Sequence, residues 1–364
     1  MSATPELLYS EIEDDLRDTV RAMLAERSPL PAVLARCEGD EPYDLKLWRT
    51  LAVELGCAGL AVPEERGGVG ASFREAAVVL EELGRAVAPV PFLGSAVVAT
   101  SALLASGERE LLGELASGAR TAALALPLST APHAPVPPPV SAAGDALTGT
   151  VTSVADALPA DVLLVFLPGA ALYAVQASAA EVTRSPVVSL DLTRQLCDVT
   201  MDGAPGRLLA AGDAADRAVS AALTTGAALL ASEQLGVAQW CLETTVEHLK
   251  TRYQFGRPLG SFQALKHRLA DLWVEVSQAR AVARYAAACV ATADPDVAIA
   301  TALAQSHCAV VAVKAAEECV QLHGGIGFTW EHGAHLYLKR AKSDAIAFGT
   351  ADQHRAALAA LVDL

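Results

Sequence analysis

Positive charge is scarce in this chain of 364 residues. Only 27 lysines and arginines stand against 42 aspartates and glutamates, a formal charge of -15 at pH 7, which disfavours attraction to nucleic-acid backbones and anionic lipid surfaces. The N-terminal stretch MSATPELLYSEIEDDL lacks a basic region followed by an apolar run, and the sequence reads as having no uninterrupted apolar stretch of transmembrane length. A cytoplasmic location, with neither nucleic acid nor membrane as partner, is therefore expected. None of the seven cysteines (Cys37, Cys57, Cys197, Cys241, Cys289, Cys308, Cys319) forms a pair at CxxC spacing, so neither a disulfide framework nor a metal site is expected. Contexts such as AAACVAT and SHCAVVAV suit a small core hydrophobe better than a nucleophile.

Apolar material is abundant. At 52% hydrophobic content the chain can bury a large core, and its length calls for more than one folding unit. Residues 1–120 are helical in pattern: EDDLRDTVRAMLAER, LKLWRTLAVELG and FREAAVVLEELGRAV repeat apolar residues at three- and four-residue spacing. Over 121–206 that period fades into short runs such as DVLLVFL, ALYAVQA and CDVTMDG between Pro- and Gly-containing turns, which predicts a β domain. Over 207–364 long helical segments return, the longest being SAALTTGAALLASEQLGVAQWCLETTVEHLKTRYQF.

Two stretches of the last region carry recognisable chemistry. The first, RYQFGRPLGSFQALKHRLADL, runs from Arg252 to Leu272, and the second, CVQLHGGIGFTWEHGAHLYLKRAK, from Cys319 to Lys342. An arginine at a helix end, beside the Phe255-Gly256 turn, can fix a pyrophosphate, and Phe255 offers an aromatic surface for an adenine. Gly324 and Gly325 have no Cβ and permit close backbone approach to a ligand. His323 suits a cofactor contact or a polar residue satisfied at a helix end equally well. Lys266, His267 and Arg268 read as a solvated helix face, and Lys339, Arg340 and Lys342 as a surface or interface cluster.

In this register the two stretches resemble the flavin-facing segments of acyl-CoA dehydrogenases. Pro63-Glu64-Glu65 with Gly67-Gly68-Val69-Gly70 resembles, more weakly, the N-terminal signature of that family, and the resemblance covers nearly the whole chain. It implies an α+β, mostly α fold: an N-terminal helical domain, a middle β-barrel-like domain and a C-terminal four-helix bundle. It also implies FAD, contacted by Arg252, Tyr253, Gln254, Phe255, Phe262, Gln263 and the run Gln321, Leu322, His323, Gly324, Gly325, and held mainly by a neighbouring subunit.

Departures from the family pattern decide what the resemblance implies for function. Removing the α-proton of an acyl thioester needs a carboxylate while hydride leaves for the flavin. Where the family places that carboxylate, in a Tyr-Glu-Gly-Thr loop, this chain has Ala347-Phe348-Gly349-Thr350. The alternative position of the base corresponds to Gly226, and its usual neighbouring arginine to Ala227. The Thr-Glu-Pro that touches the flavin is replaced by Ala125-Leu126-Pro127, followed by an extended, proline-rich connection, and a bulky residue near the ring by about Ser153. A retained half-site beside a decayed one resembles the short subunits of bacterial α2β2 acyl-CoA dehydrogenases acting on CoA thioesters of steroid side chains. The expectation is a chain without a catalytic residue of its own, paired with a homologous subunit that carries the glutamate and binds most of the acyl-CoA, with electron-transfer flavoprotein as acceptor. Two rival readings are a homotetramer with a base relocated to Glu233 or Asp344, and a flavin-free structural or regulatory protein.

Overall fold

The computed structural model describes residues 6–136 and 139–364. Part of the proline-rich connection, Pro137 and Pro138, and the first five residues lie outside the described range. The chain opens on helix α1 (Glu11–Arg27), started by a capping box in which Ser10 accepts from the Glu13 amide and Glu13 accepts from the Ser10 amide. Helices α2 (Leu30–Glu38) and α3 (Leu45–Arg49) follow, then α4 (Phe73–Ala86) behind a second capping box of Ser72 and Glu75. In the PEERGGVG loop the glycines serve the chain's own packing. A Cβ on Gly68 would lie 2.0 Å from the Val62 carbonyl oxygen, and Gly67 and Gly70 have φ of 87° and 72°. Helices α5 (Thr100–Ser106) and α6 (Glu110–Ala116) complete this region.

Seven strands form the middle of the chain. Strand β1 (Ala122–Leu124) runs parallel to β4 (Val162–Leu167), and β4 pairs antiparallel with β5 (Ala171–Gln176). The long β7 (Leu196–Ala211) then pairs with β5, with β3 (Ala146–Ala155) and with β6 (Val182–Val187), while β2 (Val140–Ala143) closes on β3. Because β7 serves both halves, the sheet curls on itself over a small core of Leu147, Val151, Leu163, Val175 and Met201. Every residue of β4 is buried: one face of the strand lies in this core and the other, with Val162 and Leu164, joins the main helical core. Strand β7 continues to Ala211, past the boundary at 206 expected from sequence.

The last region is a bundle of α7 (Asp213–Thr251), α8 (Gln263–Thr292) and α9 (Val297–His323), completed by α10 (Ala334–Asp344) and α11 (Ala351–Leu361). Its contact faces are built from buried alanines, among them Ala227, Ala231, Ala304 and Ala312, which bring helix axes close. Helices α4 and α7 cross where both lack side chains: a Cβ on Gly84 or Gly236 would lie 2.1 Å from the Glu233 oxygen or 1.9 Å from the Glu81 oxygen. The architecture is the mostly α, α+β one expected. One helical run, Val297–Phe328, is long and apolar enough to cross a membrane by length and composition, contrary to the sequence expectation, and half of its apolar window is buried inside the protein.

A charged cluster ties these regions together from inside. Arg194, in the loop before β7, bonds Glu233 of α7 through both carboxylate oxygens (2.8 and 2.6 Å) and Asp344 at the end of α10 (2.8 Å). Arg340, expected at the surface, is instead 2% exposed and bonds Glu233 (2.7 Å), Thr193 and Asp191. Two guanidiniums thus face three carboxyl groups away from water. Burial works against the Glu233 carboxylate, but the two guanidiniums outweigh it and its pKa is lowered. Burial and then the Glu233 charge push Asp344 well above the usual carboxyl range, so a proton on Asp344 balances the cluster. Glu233→Ala should cost about 3–5 kcal/mol, because it removes the carboxylate that bridges the two buried guanidiniums and leaves each with a single carboxyl partner, Asp344 for Arg194 and Asp191 for Arg340. Asp344→Asn should be nearly neutral at low pH and more favourable as pH rises. A carboxyl whose folded pKa is raised contributes stability that is fully present below its unfolded value and is lost as pH climbs through the folded one. Urea denaturation of the three chains across a pH series checks both outcomes.

Candidate functional site

Helix α7 stops at Arg252, whose amide bonds the His248 carbonyl at 2.9 Å. The chain then turns back as a two-residue hairpin, Tyr253–Gln254 against Arg257–Pro258. Phe255 and Gly256 sit at its tip with φ of 53° and 76°, the left-handed pair that such a turn requires. Arg252, Tyr253, Gln254 and Gln263 are all exposed. Phe255 is 88% and Tyr253 63% exposed, a large apolar projection for so short a turn. Phe262 is less free: Arg257 lies over its ring at 3.9 Å. Among the described residues Arg252 forms no ion pair, so its charge is available to a group outside the chain.

The second stretch reaches the same place from α9. His248 of α7 and His323 of α9 stack with ring centroids 4.3 Å apart, which sets the Gln321–Gly325 turn beside the Arg252 end. Gln321, Gly324 and Gly325 are exposed. A Cβ on Gly325 would meet nothing within 4 Å, and no positive φ is required there, so nothing in the chain itself explains the missing side chain. Two of the expected contacts point inward instead. Leu322 joins the apolar core, and the His323 ring is buried, its Nδ1 donating to the Cys319 carbonyl at 2.7 Å. One turn of helix cannot present every side chain outward, so at 322 and 323 only the backbone faces the turn's open side. An exposed cation, an exposed ring and an open glycine turn fit the pyrophosphate and adenine end of a flavin dinucleotide.

The substituted positions converge elsewhere, on a closed cleft. Leu126, Pro127, Leu128 and Phe348 line one cavity with Leu93, Gly94, Val98, Leu124, Ala155, Asp156 and Leu223, and its volume is only about 30 Å³, room for a water molecule or two. Phe348 fills the rest. Its ring stands where a side chain at 226 would go: a Cβ on Gly226 would lie 2.8 Å from Phe348 Cζ and 2.9 Å from Val98 Cγ2. The backbone seals the cleft as well. Leu128 donates to the Ser153 carbonyl (3.0 Å) and accepts from the Phe348 amide (2.7 Å), while His354 Nε2 donates to the Phe348 carbonyl (2.9 Å). Ser153 sits in a bulge of β3, with φ of 56° and its amide on Asp198. The first part of the connection after Pro127 is not extended as expected: over 128–134 it coils into turns in which Thr130 bonds Pro127 and Ala134 bonds Ala131, while Pro137 and Pro138 lie outside the described residues.

Neither relocated base is placed for proton abstraction. Glu233 is 1% and Asp344 0% exposed, both are committed to the arginine cluster, and neither lines the cavity. The one carboxyl that does, Asp156, was not singled out from sequence, where it is simply an acid in a Ser-Val-Ala-Asp-Ala run. It is held by the Gly94 amide (2.9 Å) and the Tyr43 hydroxyl (3.0 Å), and burial raises its pKa. His354 is likewise legible only in three dimensions. The contact between positions 226 and 348 yields a prediction. Gly226→Ala should destabilise the chain by about 1–3 kcal/mol through overpacking, despite the better helix propensity of alanine. In a Phe348→Ala background most of that cost should vanish, and a double-mutant cycle in urea measures the coupling.

Comparison with known proteins places the chain among relatives. Residues 10–118 match the acyl-CoA dehydrogenase N-terminal domain and residues 216–362 the C-terminal domain. The chain is 38% identical to the acyl-CoA dehydrogenase IpdE2 of Mycolicibacterium smegmatis over 341 residues, covering 93% of this chain and 95% of that protein. In three dimensions it superposes on a chain of the ChsE4-ChsE5 complex from Mycobacterium tuberculosis with a TM-score of 0.87 at 28% identity, over 98% of this chain and 99% of the other. On a chain of a variant of the Tcur3481-Tcur3483 steroid acyl-CoA dehydrogenase the TM-score is 0.85 at 30% identity, over 97% and 98% of the two chains. With both family domains matched and a relative aligned over more than nine-tenths of each chain, this chain belongs to the acyl-CoA dehydrogenase family.

Proposed function

We propose that this chain is the base-lacking subunit of a mixed α2β2 acyl-CoA dehydrogenase, in which it supplies half of a shared FAD site and its homologous partner supplies the catalytic glutamate. One observation carries the reading: positions 126, 127 and 348, where the family does its chemistry, line a cavity of about 30 Å³, and position 226 packs against Phe348, while the Arg252 and Gln321–Gly325 edge stands open. An isoalloxazine does not fit the first, and a dinucleotide tail fits the second. The two-chain ChsE4-ChsE5 and Tcur3481-Tcur3483 assemblies, whose members resemble this chain, support a pairing of the same kind. The steroid acyl-CoA dehydrogenase among them also supports a steroid CoA thioester as the substrate class; in this reading the thioester lies on the steroid side chain, the partner binds most of it and electron-transfer flavoprotein is the acceptor.

In this arrangement FAD, held mainly by the partner, would supply the hydride-accepting chemistry that dehydrogenation of an acyl thioester needs. Arg252 would neutralise the pyrophosphate, Phe255 would cover the adenine, and Gln263 with the Gln321–Gly325 turn would supply polar and backbone contacts. Phe348 and Leu128 leave no room for a flavin ring in this chain's own cleft. The chain is thus a binding subunit rather than a proton-transfer subunit.

Stoichiometry tests the proposal first. Co-expressed with its partner, the complex should carry two FAD for every four subunits, measured from flavin absorbance of protein released by denaturation. Four flavins per tetramer, or a yellow, active homotetramer of this chain alone, would sink the idea. Arg252→Ala should weaken FAD retention by about 2 kcal/mol, the value of a charge-assisted contact, or roughly 30-fold. Flavin release during dialysis checks it, and unchanged retention would make Arg252 an ordinary surface cation.

A further inference from the structure

Three imidazoles meet behind the open edge. His323 is sandwiched between His248 and His332, with ring centroids 4.3 Å away on each side and tilts of 32° and 43°. His248 lies one turn before Arg252 on α7, His323 inside the Gln321–Gly325 run on α9, and His332 in the loop before α10. The stack therefore joins the two chain segments that would have to hold one cofactor between them. We propose that His248, His323 and His332 are positioning residues of the donated half-site, clamping the Arg252 end of α7 to the Gln321–Gly325 turn while they share no more than one proton, and releasing it when a second proton enters. The inference rests on the half-site reading above and adds to it a regulated connection.

The surroundings favour one proton and resist two. His323 Nδ1 donates to the Cys319 carbonyl at 2.7 Å and lies 3.7 Å from the Cys319 sulfur. That fixes the tautomer and leaves Nε2 as the site that gains the proton. His248 and His323 both stand in the last turn of their helices, where the exposed carbonyls stabilise a cation. Burial works against charge on His323, but the Cys319 contacts outweigh it and its pKa is raised. Burial, then the neighbouring imidazoles, lower both His248 and His332, and Arg252 adds to the effect at His248. The groups acting on the stack are thus Cys319 on α9 and Arg252 on α7. Cys241, hydrogen-bonded to Cys319, lies beyond the former, and His335 of α10 feels His332 from the other side. A folded pKa below the unfolded value of about 6.5 means that His248 and His332 stabilise the clamp above that pH, and that the contribution is lost as pH falls through their folded values. The raised His323 has the opposite sign, its contribution being full below about pH 6.5 and lost as pH rises through its folded value.

Two measurements test this. In the full chain alone, imidazole NMR titrations should be coupled: His323 should protonate first, His248 and His332 later. Replacing His323 by Gln should move the other two up toward the free value. Three independent titrations, indifferent to His323→Gln, would overturn the proposal. In the co-purified complex, FAD release followed by flavin fluorescence should rise as pH falls below about 6.5. His332→Lys, a permanent charge beside His323, should release FAD about tenfold more readily at neutral pH, the equivalent of about one pKa unit. His332→Gln, which keeps the loop but cannot charge, should remove most of the acid-induced release and serves as the folded control. Arg252→Ala should weaken retention at every pH and leave the pH dependence in place. If Arg252→Ala weakens retention and His332→Lys does not, the clamp is wrong and the half-site stands. If neither matters, the half-site reading fails and takes the clamp with it.

Discussion

The buried cluster of Arg194, Arg340, Glu233, Asp191 and Asp344 is the constraint on which the rest of the molecule depends. It joins the loop before β7, the middle of α7 and the end of α10 by charge-assisted bonds of 2.6–3.3 Å. Asp344 is the last residue of α10, and Phe348 follows four positions later. Fixing Asp344 therefore fixes where the 345–349 turn enters the space between the β domain and the bundle. Glu233 lies two helical turns beyond Gly226 on α7, so the same cluster sets the face that α7 presents to Phe348. Buried ions contribute little net stability when well paired and are costly when one is removed. Such a cluster holds a geometry rather than adding to a core that alanine-rich helix contacts already supply.

Given that geometry, the closed cleft and the open edge are consequences of side-chain volume. A phenylalanine at 348, packed against glycine at 226, and leucines at 126 and 128 leave a cavity of only about 30 Å³ between sheet and bundle. The backbone of Leu128 then bonds strand and turn at once. Conversely, the hairpin tip at Phe255-Gly256 and the Gln321–Gly325 turn project beyond the bundle, where no described part of the chain covers them. An exposed phenylalanine beside an arginine without an ion-pair partner among the described residues is a surface shaped for something outside the chain. The closed cleft meets α7 at Leu223, in its N-terminal half, and the open edge lies at the C-terminal ends of α7 and α9, so the two are well separated along the bundle.

Much of this was legible in the residues. The three- and four-residue apolar period located the long helices, and alternating short runs located the strands. The absence of a carboxylate at 348 and 226 is a matter of residue identity alone, and no structure is needed to see that phenylalanine and glycine cannot take a proton. The prolines after Pro127 misled: a proline fixes its own φ but not the turn bonds of its neighbours, and Thr130 and Ala134 close turns where an extended chain was expected. Arg340 misled too, because a basic residue in a Lys-Arg-rich run reads as surface until its carboxylate partners Glu233 and Asp191, far away in sequence, are known.

Sequence by itself determined the fold class and the lack of a carboxylate at 348 and 226, and it singled out the Arg252 and Gln321–Gly325 segments, since each rests on local periodicity, residue chemistry or a contiguous motif. Only the tertiary structure decided that Phe348 occupies the volume above Gly226, that Glu233 and Asp344 are locked to arginines, and that His248, His323 and His332 stack. Those facts are distances between residues far apart in the chain. Local propensity carries no record of such distances, which are set by how α7, α9 and the sheet pack around the buried charges.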